Sequence, residues 1–301
     1  MASRLAACCA ALQGLAWAQS DLKAILERVS EEAEVFQREA PNVVGRELLR
    51  HWAVQGRPRF RPRLGAEPDS PPQRRTLSRE IVSEYGYSAL QAAPESLREF
   101  RQVISVDGKE LKAPEKARLQ LAQGMRSEDD RQRRRMLEEF ERQGTVGAAV
   151  DFGQILLLFR RRALADYEFT PPASGGWLGA ERVLRVPYRQ KESGDSLHLY
   201  RGREFQRLPL TGEIWVRESD HLPLRITFRT EVAEGEHAAV YLAEVDYRES
   251  RYAVMLPAGA LVRKETAGET VMENRYEYSG FRKFTVDAEI RFSFEDVPAK
   301  P

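Results

Sequence analysis

Apolar positions recur at three- and four-residue spacing near the start of the chain and at two-residue spacing over most of its remaining length. Leu22, Ile25, Leu26, Val29, Ala33 and Phe36 fall on one side of a helical projection, with Glu27, Arg28, Glu31, Glu32 and Glu34 mostly between them. This predicts an amphipathic helix over residues 21–39. Pro41 ends it, because the residue before a proline avoids the helical region. Residues 47–54 read as a short second helical piece. Residues 55–75 carry Pro58, Pro62, Pro68, Pro71 and Pro72 among glycines and arginines, a composition expected of a linker or long loop.

The period changes after Leu77. Residues 78–87 and 99–106 are strand-like, the second ending at the turn pair Asp107-Gly108. Three helices are expected next, at 115–124, 127–143 and 150–162. Ser127 is the candidate N-cap of the middle one, with Asp129 and Asp130 in its first turn, where the helix dipole favours negative charge. The third is the most apolar. Strands are then expected at 163–170, 181–190, 196–200, 212–218, 224–231, 238–247, 260–266, 270–278 and 284–294. In the last, Phe284, Val286, Ala288, Ile290, Phe292 and Phe294 share one face, while Thr285, Asp287, Glu289, Arg291 and Ser293 share the other. One dry face, one wet face and short turn-like connections predict antiparallel pairing. The expected fold class is α+β: a large curved antiparallel sheet, an open or half β-barrel, packed against helices. The expected division is an N-terminal helical segment at 19–54, a Pro/Arg-rich linker or loop at 55–76, and a β domain at 77–298 with a helical insertion at about 115–162.

The first eighteen residues stand apart. Arg4 precedes an apolar run from Leu5 to Leu15, and Ala16-Trp17-Ala18 supplies the small-x-small pattern of a cleavage site. This is the layout of a secretory signal peptide, with an ordinary N-terminal helix as the alternative. Cleavage near Ala18 would place the mature protein in the periplasm or outside the cell. Leu5-Ala6-Ala7-Cys8 also looks like a lipobox, but too few residues precede Cys8 for a usual apolar region. Cys8 and Cys9 would both leave with the signal, so a mature chain without disulfides is expected. No later stretch approaches the roughly 20 apolar residues that span a bilayer, so no transmembrane anchor is expected. Lys and Arg total 47 against 46 for Asp and Glu, a balance that gives no general attraction to nucleic acid or anionic membranes.

Familiar catalytic signatures are missing: no zinc-binding His-Glu-x-x-His, no Gly-x-Ser-x-Gly elbow, no phosphate-binding glycine loop, no dinucleotide fingerprint. No catalytic residue, metal or cofactor is assigned, and the expectation is a non-enzymatic protein; an enzyme without familiar motifs is the minor alternative. His51, His198, His221 and His237 are scattered and read as exposed or turn residues. Asp129-Asp130 reads as a helix start rather than an acid/base pair. Glu244 and Asp246 share the wet face of one strand and read as solvated rather than as a cation site. Arg131, Arg133, Arg134, Arg135 and Arg142, among Glu138, Glu139 and Glu141, read as a salt-bridged solvent face. Arg160-Arg161-Arg162 follows the apolar run 155–159 directly. Such a stretch could meet a lipid interface or hold an anionic head group, or could end a core helix with cations that complement its dipole. The basic run 57–63 is either a solvated tether or a site for an anionic polymer or lipid.

The segment from Gly212 to Ile226, with Ile214-Trp215-Val216-Arg217, the acidic turn Glu218-Ser219-Asp220 and then Leu222-Pro223, resembles a hairpin of the periplasmic lipoprotein-carrier proteins of the LolA/LolB type and the related RseB-like domains. Val245-Asp246-Tyr247-Arg248 followed by Met255-Leu256-Pro257 is similar to a second pattern of that group. The resemblance covers roughly residues 163–297. It implies an unclosed antiparallel barrel around helices, with an apolar cavity for acyl chains or lipids, and no functional residue is carried over from it. The residues' own pattern adds a candidate apolar lining: Phe152, Ile155, Leu158, Phe159, Trp215, Ile226, Phe228, Tyr241 and Phe292, each of which could instead be plain core. Arg160, Arg161 and Arg162 would form its rim. The expected partner is a lipid or acylated ligand; the alternative is an envelope protein docked on a chain without a ligand cavity.

Overall fold

In a computed structural model of the chain, residues 2–55, 75–91, 93–127, 129–147, 151–192, 198–201, 204–207, 209–234 and 237–283 are described. Residues 56–74 of the expected linker at 55–76, and the expected last strand at 284–294 with Phe292, lie outside them.

Helix α1 (Ala2–Glu39) leads through a 3-10 turn at Ala40–Asn42 into strand β1 (Val43–Val54). Residues 47–54 are therefore strand, where a helical piece is expected from the sequence. The burial pattern explains the difference. Glu47, Leu49, His51 and Ala53 point inward while Arg46 and Arg50 face solvent, a period of two hidden by a buried Glu and His on the core face. Long strands β2 (Thr76–Leu90) and β3 (Ala93–Val106) follow, then the two-residue β4 (Lys109–Glu110).

Helices α2 (Pro114–Arg126) and α3 (Asp130–Glu141) come next. The cap of α3 is Asp129, whose Oδ1 accepts a hydrogen bond from the Arg131 amide at 2.9 Å; Ser127, expected in that role, instead closes α2. The expected third helix is absent. Residues 155–159 and 161–166 form two 3-10 stretches, with Arg160 between them in an extended conformation (ψ 150°). An all-round apolar run specifies no period of its own. Here the sheet also supplies polar partners to its backbone.

The remaining strands are β5 (Tyr167–Phe169), β6 (Ala173–Leu178), β7 (Glu181–Gln190), β8 (His198–Arg201), β9 (Glu204–Arg207) and β10 (Thr211–Arg217). They continue as β11 (Pro223–Glu234), β12 (His237–Glu249), β13 (Met255–Thr266) and β14 (Glu269–Lys283). Twelve of these form one antiparallel sheet in the order β4-β3-β2-β1-β14-β13-β12-β11-β10-β7-β5, with β6 also on β7; β8 and β9 pair apart. The first and last strands do not meet, so the curved sheet stays unclosed. The class is α+β.

The inner face carries the main core. Ile25, Val29, Ala33 and Phe36 of α1 pack there with Phe152, Ile155, Leu156 and Phe159 against Ile214, Ile226, Val245, Val262 and Tyr276 of the strands. A smaller cluster of Val44, Phe100, Leu121, Met125 and Met136 holds α2 and α3 on the other face of β1–β3.

Candidate functional site

The inner face is closed by residues 151–166, hereafter the cover. Phe152, Ile155 and Phe159 are buried and Leu158 is half-buried. Phe152 stacks near Phe228 and Tyr276, with ring centroids 6.2 Å away in each case. Phe159 lies 4.9 Å edge-on to Tyr188 and 5.3 Å from Tyr167. Ile226 and Phe228 belong to the same core, and Tyr241 packs at its margin beneath Lys264. Trp215 lies elsewhere. It alternates with the buried Ile214 and Val216, so its indole is on the other face of β10, between the Arg185 and Arg225 guanidiniums at 5.6 and 5.5 Å, with Nε1 donating to Glu213 Oε2. The structure thus brings together six of the nine expected lining residues, puts Tyr241 at their edge and Trp215 outside, and does not describe Phe292.

What holds the cover down is polar, and the sequence pattern does not announce it. Arg101 of β3 is buried and forks onto Glu47 of β1 at 2.7 and 2.9 Å, with Nη2 also donating to Glu99 Oε2 at 2.5 Å. The other oxygen of Glu99 accepts the Gly153 amide at 2.6 Å, and the Glu99 amide donates to Asp151 Oδ1 at 3.1 Å. Asp151 is also paired with Arg98. A second anchor is Tyr247, whose hydroxyl donates to Gly153 O at 3.1 Å and accepts the Leu156 amide at 3.0 Å. A side chain at Gly153 would crowd these anchors: a Cβ there would lie 2.7 Å from Tyr85 Oη and 2.8 Å from Glu99 Oε1.

Burial dominates the electrostatics of this cluster. Glu99 is surrounded by protein, and the loss of water, with Asp151 and Glu47 nearby, pushes its pKa up to about 8 against the pull of Arg101. Asp151 is raised for the same first reason, partly offset by Arg98 and Arg101. Tyr85, Tyr87, Tyr276 and Tyr278 line the cluster, all with pKa values raised by burial. Arg101 also stacks over Tyr85 and Phe140 at 5.4 and 4.8 Å, so its cation is enclosed by π faces as well as carboxylates.

The Glu99–Arg101 pair is the signal that could have revealed this cluster: two opposite charges two apart on a strand share one face, and the flanking Leu97 and Val103 mark it as the dry one. Glu47 was masked by the helical reading of its segment. His51 is buried rather than exposed, with Nδ1 2.6 Å from Asn274 Oδ1, and burial lowers its pKa. Arg133 is likewise buried, holding Asp130 Oδ1 at 2.7 Å and reaching Ser88 and Met125 O, in place of the solvated position expected. Glu244 and Asp246 are both paired with Arg225, at 3.0 and 2.5 Å. His221 sits in the β10–β11 turn with a positive φ of 61°. The side chain of His198 and the basic run 57–63 fall outside what is described, as does the side chain of His237.

At the far end of the cover the chain leaves the core. Phe159 is fully buried, and the next three residues, Arg160, Arg161 and Arg162, line a cleft of about 500 Å³ with Glu34 and Gln37 of α1 and Glu95 of β3.

No family model matches the chain, and no curated protein matches it in sequence. Among solved structures it is similar to the LolA superfamily protein NE2245 from Nitrosomonas europaea, with 11% identity over 88% of this chain and 96% of that chain and a TM-score of 0.30. The likeness is a weak LolA-like resemblance, and no residue or ligand is transferred from it. Among the described residues, no helix is long and apolar enough to cross a membrane.

Proposed function

We propose that the chain is an exported, non-enzymatic protein that binds a hydrophobic ligand, a lipid or acyl chain, between the curved sheet and the cover. The observation that carries this reading is the make-up of the cover. It fills the concave face with Phe152, Ile155, Leu156 and Phe159, yet it is built of two short 3-10 stretches interrupted at Arg160 rather than of one regular helix. Its residence depends on apolar burial plus the polar anchors at Gly153 and Leu156. Four such side chains are worth about 1.5–3 kcal/mol each when buried, and an acyl chain of about 12 methylenes, at about 0.8 kcal/mol each, gains a similar sum. A ligand chain can therefore offset the apolar part of this burial, while the polar anchors at Gly153 and Leu156 set the cost of lifting the cover, and the interior serves as a site once it lifts.

Titration of the full chain with a fluorescent fatty acid tests this. Saturable one-to-one binding is expected; a signal that rises without saturation would refute it. A second reading, docking of another protein on the sheet edge, draws on Trp177, which is 67% exposed on the edge strand β6.

A further inference from the structure

The three arginines that end the cover differ in their pairing. Arg162 is satisfied by Glu95, whose Oε2 lies 2.5 Å from Nη1. Arg160 is half-buried, and among the described residues every hydrogen bond it makes goes to a neutral acceptor: Nε to Leu157 O at 3.1 Å, and Nη1 to Gln37 Oε1 and Glu95 O at 3.4 and 3.5 Å. Neither Arg160 nor the exposed Arg161 has a carboxylate within 4 Å among the described residues. Three guanidiniums face two carboxylates, Glu34 and Glu95, across the cleft. Burial, with Arg162 next, already lowers the Arg160 pKa, while Glu34 and Glu95 offset this only in part. A partly desolvated cation with neutral partners is a seat for an anion, which restores the pairing that burial removed.

The position of this seat gives it meaning. Arg160 follows Phe159 directly, so the cleft begins one residue, about 3.8 Å along the backbone, after the buried ring that packs on Tyr167 and Tyr188. We propose that the Arg160–Arg161 cleft binds the oxyanion headgroup, phosphate or carboxylate, of an amphiphile whose chain displaces only residues 152–159 of the cover from the inner face, while the arginines stay on α1 and β3 through Gln37 and Glu95. This inference rests on the hydrophobic-ligand reading above and narrows its ligand to an anionic class. Arg161, exposed and without a carboxylate among the described residues, meets the headgroup first, and Arg160, whose Nε and Nη1 are engaged, supplies Nη2.

Calorimetric titration of the full chain with dodecyl phosphate, dodecyl maltoside and inorganic phosphate, each below its micellar range where it has one, tests it. Dodecyl phosphate is expected to bind about tenfold or more tighter than dodecyl maltoside, as a charge-assisted contact implies. Arg160→Gln/Arg161→Gln should bring the two amphiphiles within about twofold of each other while leaving the maltoside unchanged. Arg161→Gln alone, at an exposed position where folding is not at stake, should remove part of the preference. Equal binding of the two amphiphiles by the unaltered chain would overturn the headgroup site and leave the hydrophobic reading intact. A preference that survives the double substitution would overturn the cleft as its source. Inorganic phosphate binding as tightly as dodecyl phosphate would make this a free-anion site and overturn the headgroup assignment. No binding of either amphiphile would refute the hydrophobic reading, and this inference with it.

Discussion

Replacing Arg101 by methionine keeps a shorter, unbranched stem and removes the charge. Glu47 and Glu99, 0% exposed as residues, would then share an interior with no cation on them. Breaking a buried ion pair from one side costs about 3–5 kcal/mol. At about 2 °C or more per kcal/mol for a chain of this size, the melting temperature should fall by at least about 6 °C. The loss should also depend on pH. Without Arg101, which pulls it down, the folded-state pKa of Glu99 rises further above its ordinary value of 4.5. For an acid raised in this way, the stabilising contribution is complete below the unfolded value and lost as pH rises through the folded one. The unaltered protein already loses the Glu99 contribution up to about pH 8, so the deficit relative to it should be level below about pH 8 and widen above it. Adding Glu47→Leu to Arg101→Met should recover part of the loss, since one buried carboxyl is easier to keep neutral than two. Thermal unfolding followed by circular dichroism at three pH values measures all of this. A deficit below about 1 kcal/mol, or one that is constant with pH, would refute the claim that Arg101 neutralises a dry carboxylate pair.

Three further outcomes are expected. Glu99, raised to about 8 by burial, should make the unaltered protein lose stability as pH rises from about 4.5 to 8, because the folded state holds a proton that the unfolded state has released; Glu99→Gln should flatten that slope in urea titrations, and an unchanged slope would assign it to other groups. Gly153→Ala should push the cover from the sheet at a cost of about 1–3 kcal/mol, read as faster amide exchange over 153–159 with strand amides less affected, whereas exchange equal to that of the unaltered chain would deny Gly153 its anchoring role. Phe159→Ala should cost about 3–5 kcal/mol of stability yet leave fatty-acid binding intact or tighter, because it empties part of the interior; loss of binding in a folded variant would mean that Phe159 contacts the ligand rather than occupying its place.

The fold was legible in the sequence wherever one face of a strand was dry. Residues 181–190 coincide with β7, whereas placing Trp215 in the apolar lining overlooks its alternation with the buried Ile214 and Val216. The amphipathic part of α1 was legible for the same reason at helical period. Legibility failed where polar groups were buried. The charged Glu47 and the histidine at 51 disguised β1 as a helix, because nothing local says that Arg101, fifty-four residues away, will neutralise Glu47. It failed again at 150–162, where a uniformly apolar run carries no period and the backbone is claimed by Glu99 and Tyr247. The rim arginines were legible as a cluster. Their unequal pairing was not, since it depends on Gln37 and Glu95 arriving from two other elements.

Native mass spectrometry of the full chain, purified without added detergent and with any released molecule identified, tests the central claim most directly. The account predicts a one-to-one adduct of lipid or fatty-acid mass that is lost on gentle activation. A bare polypeptide mass, under conditions that preserve fatty-acid complexes of a known carrier and after incubation with excess fatty acid, would contradict it.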